Sequence, residues 1–242
     1  MIPLDLQARS SPRARSIVRY KRQASHRIAR SELLLEKNSI RKSLEELRDA
    51  ALENGATDAA VVNARNIVVD ERVELKCRNP PCEHYGRNLM CPPFTPSADQ
   101  CRKYLKRYRH GILIEVEEII PPKIRRYVEK GWRLPRLRKN SAFRKLYDPW
   151  DVRVWKKLHR VVCDVEREAF LRGFHLSTGL VGERCKLCNQ CDVTAPCKRP
   201  WEARASMEAL AIDVYRTVKN AGFKIEWGKR DSLRLFGLVL VD

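Results

Sequence analysis

The sequence predicts an α+β fold, in which a mixed or antiparallel sheet packs against helices and two cysteine-rich loops interrupt the pattern. Segments with apolar residues at three- and four-residue steps, typical of amphipathic helices, alternate with short apolar runs typical of strands. Prolines and cysteines cluster in two loops between these segments. The 242 residues are enough to bury a sizeable core, and no apolar run approaches the ~20 residues of a membrane span.

The first 30 residues are basic and rich in Arg and Ser, and Asp5 is their single acid. Such a leader is typical of a mitochondrial transit peptide or of a disordered arm that binds nucleic acid. It also arises when a start codon is placed too far upstream. We expect a flexible basic tail over 1–30 and a single α+β domain over 31–242. Because the chain lacks an apolar signal segment, we expect a cytoplasmic protein.

Local sequence signals predict the elements that precede residue 119. Asn54-Gly55 is a helix C-cap pattern, and Ser97 with Gln100 forms a capping box. The predicted elements are a helix from about 31 to 53, strands at 59–62 and 67–75 joined by a turn, a helix at 98–109 and a strand at 111–116. The two early strands would form a hairpin that leads to the first cysteine loop.

The elements after residue 146 follow the same logic. Asp148 or Asp151 is expected to cap a long helix that reaches Arg172 and carries His159 and Cys163 on or beside its buried face. We interpret both as structural residues, since a free cysteine behaves as a small hydrophobe. The remaining predictions are a strand at 174–180, a helix over 207–218, and strands at 223–227 and 233–241.

The chain is strongly basic, with 49 Lys and Arg against 30 Asp and Glu, and a net charge of +19. Such a charge attracts anions, among them nucleic acid and acidic proteins. Ten of the basic residues fall at about 119–146, which we interpret as a basic insertion with Tyr127, Trp132 and Phe143 interleaved. Those aromatics would either stack on bases or attach an exposed segment to the body of the protein.

The second cysteine group has the pattern C-x2-C-x2-C-x5-C, formed by Cys185, Cys188, Cys191 and Cys197. Without an export signal, grouped cysteines indicate metal binding rather than disulfides. Zinc sites usually combine two C-x2-C pairs, whereas three thiolates at two-residue spacing resemble a ferredoxin cluster loop. The spacing favours a [4Fe–4S] cluster over zinc, with Cys197 closing it. Nearby cations would stabilise the reduced cluster: Lys186, Lys198 and Arg199.

The first cysteine group, C-x4-C-x8-C, consists of Cys77, Cys82 and Cys91 in a proline-stiffened loop. Three thiolates hold a metal with one coordination position left over. Cys101 would close the site as a fourth ligand. His84 and Tyr85, inside the loop, are further candidates for the ligand or for a proton donor, and His84 is alternatively a hydrogen-bonded loop residue. If none binds, the open position is where chemistry occurs.

The two loops resemble those of an uncharacterised family of archaeal and bacterial proteins that are predicted to bind metal. The resemblance rests on Cys77-x4-Cys82, Tyr85-Gly86, Cys91-Pro92-Pro93, Arg167-Glu-Ala-Phe-Leu, Cys185-x2-Cys188-x2-Cys191, Cys197 and Ala203-Arg-Ala-Ser-Met-Glu-Ala. It covers roughly 38–227 and implies metal binding of the iron–sulfur type, without implying a reaction. Cys101 and the basic leader are peculiar to this chain, which weakens Cys101 as a ligand.

The leading functional hypothesis is an iron–sulfur protein with one or two [4Fe–4S] clusters. It would act in electron transfer with a redox partner protein, or in a reductive step on an anionic small-molecule substrate. One alternative is a zinc-stabilised nucleic-acid-binding protein. Another is an RNA-modifying or sulfur-transfer enzyme with an open-site cluster. No membrane partner is expected.

Overall fold

The computed structural model describes residues 34–129, 134–225 and 231–242. The chain divides into two compact units, Met1–Ser43 and Leu44–Asp242. In the first unit, residues 34–43 are helical, and the predicted basic tail over 1–30 lies outside the described residues. None of the described helices is long and apolar enough to span a membrane.

The second unit mixes helices with strands. In chain order its elements are α1 (44–53), β1 (Asp58–Asn63), α2 (Glu71–Arg78), α3 (Ala98–Leu105), β2 (His110–Ile119), α4 (Pro122–Glu129), α5 (Leu134–Leu137), α6 (Ser141–Leu171), β3 (Thr178–Leu180), α7 (Val214–Asn220) and β4 (Ser232–Val241). Single turns of 3-10 helix lie at Ala64–Asn66 and Glu208–Leu210.

The four strands form one antiparallel sheet in the order β1-β2-β4-β3. β2 and β4 pair along their whole length, from His110 opposite Val241 to Ile119 opposite Ser232. The element that comes last in sequence therefore occupies a central position in the sheet. The predicted α+β class is confirmed, and the sheet is antiparallel throughout.

The long helix α6 packs on the sheet and positions the edge from which the second cysteine loop departs. A Cβ added to Gly237 would lie 2.5 Å from Val162 Cγ2, and one added to Gly179 would lie 2.8 Å from Val162 Cγ1. Glycine at these two positions therefore lets the helix approach closely. The Trp155 indole N–H, fully buried, donates to the Gly182 carbonyl at 3.0 Å. This bond connects the helix to the chain just after β3.

The predicted strand over 67–75 is wrong. Asp70 caps a helix instead, because its carboxylate accepts a hydrogen bond from the Arg72 backbone N–H at 3.0 Å, and α2 begins at Glu71. Only Val69 makes a bridge, with Ile212. There is consequently no early hairpin: β1 pairs with β2, and a helix rather than a strand leads into the first cysteine loop.

The prediction that Asp148 or Asp151 caps the long helix is also wrong. α6 begins two turns earlier, where the Asn140 side chain accepts from the Phe143 backbone N–H at 2.9 Å, and Pro149 lies inside the helix. Phe143 is fully buried, and the Tyr127 and Tyr147 rings pack on it with centroids 5.5 and 5.0 Å away. Phe143 therefore packs α4 against the first turns of α6. Trp132 lies outside the described residues.

Three predicted elements in the C-terminal part of the chain differ from the structure. The strand expected at 174–180 is confined to Thr178–Leu180. The helix expected over 207–218 is broken, because Ala211 has a φ of +57° and Ile212 bridges to Val69, after which Asp213 caps α7. Of the strand expected at 223–227, residues 223–225 are irregular and the rest lies outside the described residues.

Candidate metal centre

The first cysteine loop is a series of tight turns that begins in the last turn of α2. The Cys82 backbone N–H donates to the Cys77 carbonyl at 2.9 Å, and the Cys91 backbone N–H donates to the Asn88 carbonyl at the same distance. Gly86, with a φ of +65°, donates its N–H to the Pro92 carbonyl at 2.9 Å. A side chain is strained at that φ, so glycine lets the loop fold back on itself.

Both ends of this loop are attached to the segment that follows the second motif. Before the loop, the Asp70 backbone N–H donates to the Ala211 carbonyl at 2.9 Å. After the loop, the Thr95 hydroxyl donates to the Ala209 carbonyl, also at 2.9 Å. The two flanks of the loop, at Asp70 and Thr95, are thereby attached to the segment 209–211.

The three thiols of the first loop lie close enough to influence one another. Burial, together with the charges of Cys77 and Cys82, raises the pKa of Cys91 to about 12. Burial and the charge of Cys82 raise the pKa of Cys77 in the same way. The protein alone therefore favours neutral thiols, and a bound cation is what would deprotonate them.

The second cysteine loop starts from the edge strand β3. Val181 bridges in parallel to Ser206, Glu183 turns the chain with a φ of +60°, and Cys185 follows two residues later. All four cysteines of the motif are partly exposed free thiols, and together they line a cavity of about 350 Å³.

Backbone N–H groups point at the sulfurs of this second motif. The Leu89 N–H donates to Cys191 Sγ at 3.4 Å, and the Arg199 N–H donates to Cys197 Sγ at 3.4 Å. Burial raises the pKa of Cys185, and a hydrogen bond from the Leu187 backbone partly offsets that rise. Hydrogen bonds of this kind stabilise anionic sulfur and tune the potential of iron–sulfur centres.

Positive charge lines the same cavity. Arg87, Arg184 and Arg199 contribute to its wall, and Glu202 accepts from the Arg199 guanidinium at 2.7 and 3.0 Å. The Lys186 ammonium, by contrast, lies between Asp151 at 2.6 Å and Glu183 at 2.5 Å, so its charge is neutralised there. The cations that line this cavity are thus arginines, of which Arg199 is paired with Glu202.

The two cysteine loops lie side by side. The Asn88 side chain, only 6% exposed, donates to the Cys185 carbonyl at 3.1 Å and accepts from the Met90 backbone N–H at 2.9 Å. The N–H that bonds Cys191 comes from Leu89 of the first loop. Asn88 and Leu89 are the contacts that join the two candidate sites, and sequence reasoning missed both.

A further cavity of about 500 Å³ opens beside the first loop. Cys82, His84 and Tyr147 contribute to its wall, together with charged groups of both signs. Three of its four cations are paired with carboxylates: Arg138 with Glu83, Arg144 with Asp148, and Lys186 with Asp151 and Glu183. The fourth, Arg184, makes no ion pair among the described residues.

Cys101 and His84, candidates for a fourth ligand of the first site, lie in different surroundings. Cys101 is 4% exposed within the apolar core, beside residues such as Val62 and Leu113, and burial raises its pKa to about 11. His84 lies in the loop with its Nε2 3.3 Å from Glu83, and burial lowers the pKa of its ring. Cys101 is thus a core residue, while His84 remains in the loop.

Cys163 and His159, interpreted as structural residues, bond to each other and to the backbone. The His159 Nε2 lies 2.7 Å from the Glu202 carbonyl and 3.6 Å from Cys163 Sγ. The ring also stacks on Trp155 with centroids 4.9 Å apart. Their interpretation as packed, hydrogen-bonded residues agrees with these contacts.

Neither cysteine set is closed around one ion. Within the described ranges, no three His, Cys, Asp or Glu side chains are arranged to hold a single metal ion. A tetrahedral zinc site would bring its thiolate sulfurs to within about 3.8 Å of one another, given Zn–S bonds of about 2.3 Å. The cavity of about 350 Å³ that the four cysteines of the second motif help to line has room for a larger group than one ion.

Comparison with known proteins gives one result. A family model described as "Predicted metal-binding protein (DUF2284)" matches residues 60–241, a range that contains both cysteine loops. No curated protein and no solved structure matches the chain.

Proposed function

Because the chain belongs to DUF2284, a family of predicted metal-binding proteins, we propose that it is an iron–sulfur protein that transfers electrons. In this proposal a [4Fe–4S] cluster is held by Cys185, Cys188, Cys191 and Cys197. A second metal or cluster is held by Cys77, Cys82 and Cys91.

The observation that carries the proposal is the set of backbone N–H groups directed at cysteine sulfurs around one shared cavity. Cys191 and Cys197 each accept such a bond at 3.4 Å. Amide donors favour sulfur in its anionic form, which is the form that binds iron. The arginine lining would further offset the negative charge of a cluster with four thiolates. A neutral structural thiol needs neither feature.

When bound, a [4Fe–4S] cluster supplies one-electron chemistry at a potential set by burial and by hydrogen bonds to its sulfurs. The residues of this chain would orient the sulfurs, most of them partly buried, and they place the two loops in contact through Asn88 and Leu89. We propose that one electron enters from a redox partner protein, which is thereby oxidised, and leaves to a one-electron acceptor. Two neighbouring metal centres, one at each cysteine loop, would let the electron pass from one to the other.

The buried ion pairs of Lys186 near Cys82 disfavour that side chain as the cation for an anionic substrate. The Lys186 ammonium lies between Asp151 and Glu183 with its side chain 4% exposed, and breaking a buried pair costs about 3–5 kcal/mol. The ion pairs of Arg138 and Arg144 are exposed and contribute only about 0–1 kcal/mol each, and Arg184 makes no ion pair among the described residues, so these arginines would be available to an anion. Turnover of an anionic substrate is therefore an outcome that would revise the proposal.

The test is the metal content of protein purified without oxygen. We expect iron and acid-labile sulfide, with an electron paramagnetic resonance signal after reduction. Cys188→Ser should remove one cluster's iron and sulfide, whereas Cys163→Ser, the matched change at a cysteine bonded to His159, should leave both unchanged. Protein without iron and sulfide would overturn the proposal.

Colourless protein with stoichiometric zinc would instead favour the zinc-stabilised alternative. In that case we expect binding to RNA or DNA whose affinity falls steeply with salt, since phosphate contacts release counterions. The net charge of +19 is the property that would support such binding. RNA or DNA binding that does not weaken with salt would exclude this zinc-stabilised alternative.

A further inference from the structure

The outer face of α6 carries a stripe of positive charge. Five exposed cations form this stripe: Lys145, Arg153, Lys156, Arg160 and Arg167. With 3.6 residues per turn they fall within an arc of about 80°, and at 1.5 Å per residue the stripe is about 33 Å long. On the opposite side of the helix, Trp155, Leu158 and Val162 are fully buried. The stripe is therefore the side of α6 that faces solvent.

Carboxylates leave most of this charge uncompensated. Of the five cations, only Arg167 has a carboxylate partner among the described residues, Asp164 at 3.4 Å. Cations elsewhere on the same helix are paired, as Arg144 is with Asp148. The middle of the stripe thus presents positive charge without a counter-charge from the described part of the chain.

Like charges at these spacings oppose helix formation. Arg153 lies three residues before Lys156, and Arg160 lies four residues after it, so each pair meets across one turn and repels. A helix face that is merely solvated usually alternates in sign, so that such neighbours attract one another. The stripe therefore indicates a polyanion, whose binding would neutralise the repulsion.

The composition of the stripe favours a nucleic-acid duplex over other polyanions. Protein interfaces are anchored by aromatic and other large side chains, and single strands by aromatic rings that stack on bases. The stripe contains no aromatic residue, whereas contacts to a phosphate backbone need only cations. An amphipathic helix binds a membrane through its apolar face, and that face of α6 is buried in the core. The length of about 33 Å matches roughly one turn of a duplex.

We infer that α6 binds the phosphate backbone of a nucleic-acid duplex through these five cations. The inference goes beyond the proposed function, and it holds whichever metal the cysteine loops bind. DNA and RNA share this backbone, and contacts to it fix a protein on the duplex without reading the base sequence. Five phosphate contacts predict a slope of about −4.5 for the logarithm of the DNA-binding constant against the logarithm of salt concentration.

The test measures the affinity of the full-length, metal-loaded protein for labelled DNA and RNA duplexes by fluorescence anisotropy. Duplexes of about 20 base pairs, roughly two helical turns, are long enough to cover the stripe. Titrations between about 50 and 200 mM salt give the slope. The variant removes three charges from the middle of the stripe by Arg153→Gln, Lys156→Gln and Arg160→Gln. Glutamine is a good helix former, so α6 should persist in circular dichroism.

A matched control removes three charges from exposed cations on the other side of the sheet: Lys103→Gln, Lys106→Gln and Arg107→Gln. Leu105 of α3 belongs to the same core cluster as Leu238, whereas Val162 of α6 closely approaches Gly237. Because successive strand residues point to opposite faces, α3 and α6 cover opposite faces of the sheet. Both variants have the same net charge, so a difference between them reports the position of the charge.

We expect the α6 variant to lose about 2.7 of the slope on DNA and about tenfold or more of the affinity near 0.1 M salt. The α3 control should keep the slope of the parent. Tighter binding of one duplex than of the other would identify which nucleic acid is the ligand.

Three results would overturn the inference. They are a parent protein that binds neither duplex, an equal loss of affinity in the two variants, and tighter binding to poly-glutamate than to either duplex. The last result would assign the stripe to an acidic protein partner. Metal content is measured separately on the same protein, so a failure of the proposed function is distinguishable from each of them.

Discussion

Replacing Asn88 by alanine should destabilise the protein by removing the link between its two cysteine loops. Asn88 makes two hydrogen bonds, to the Cys185 carbonyl and from the Met90 N–H. Both partners are half-buried, so each loses a bond that water only partly replaces. At about 1–3 kcal/mol for each unsatisfied group, and with values near the lower end, we expect a loss of about 2–3 kcal/mol.

The assay is thermal unfolding of the metal-loaded protein followed by circular dichroism. For a domain of this size a loss of 2–3 kcal/mol lowers the Tm by about 4–12 °C. The control is Asn189→Ala, the same change at an exposed residue that lines the same cavity, which should stay within about 0.5 kcal/mol of the parent. Equal Tm values for the two variants would refute the argument that Asn88 joins the loops.

Three further outcomes are expected. Cys101→Ala should leave iron content unchanged while Cys188→Ser lowers it, because Cys101 lies in the apolar core; metal analysis decides this. Arg234→Met should lower the free energy of unfolding by about 3–5 kcal/mol, because it leaves the Glu115 carboxylate, 2% exposed, without its cation. Adding Glu115→Gln should restore part of the Tm. Burial lowers the pKa of His159, so the unfolded chain binds the ring's proton more tightly and stability should fall as pH drops below about 6.5. His159→Gln should reduce that slope in Tm measured against pH.

The sequence predicted the elements whose signals are local. The Ser97–Gln100 capping box marks the start of α3, as predicted. Gly55, with a φ of +102°, follows the end of α1 at the predicted C-cap. The misassigned segments are those where a distant partner decides the structure. Val69 and Ile212 pair across more than a hundred residues, and that pairing ends a helix which the apolar periodicity alone would continue.

The same distinction between local signals and long-range contacts applies to the candidate site. Cysteine spacing indicated both ligand groups, because spacing within one loop is a property of the local chain. The contact between the loops depends on Asn88, and nothing in the sequence distinguishes it from an ordinary loop asparagine.

The central position of β4 has a consequence for the order in which the protein is built. β4 lies between β2 and β3, yet it is the last of these elements to leave the ribosome. Both cysteine loops are therefore synthesised while the edge that supports the second one has no neighbouring strand to pair with. Long-range strand pairing therefore has to wait for its final partner. A chain cut before Ser232 should carry every cysteine and the β1–β2 pair, but it should leave β3 without the strand with which it pairs.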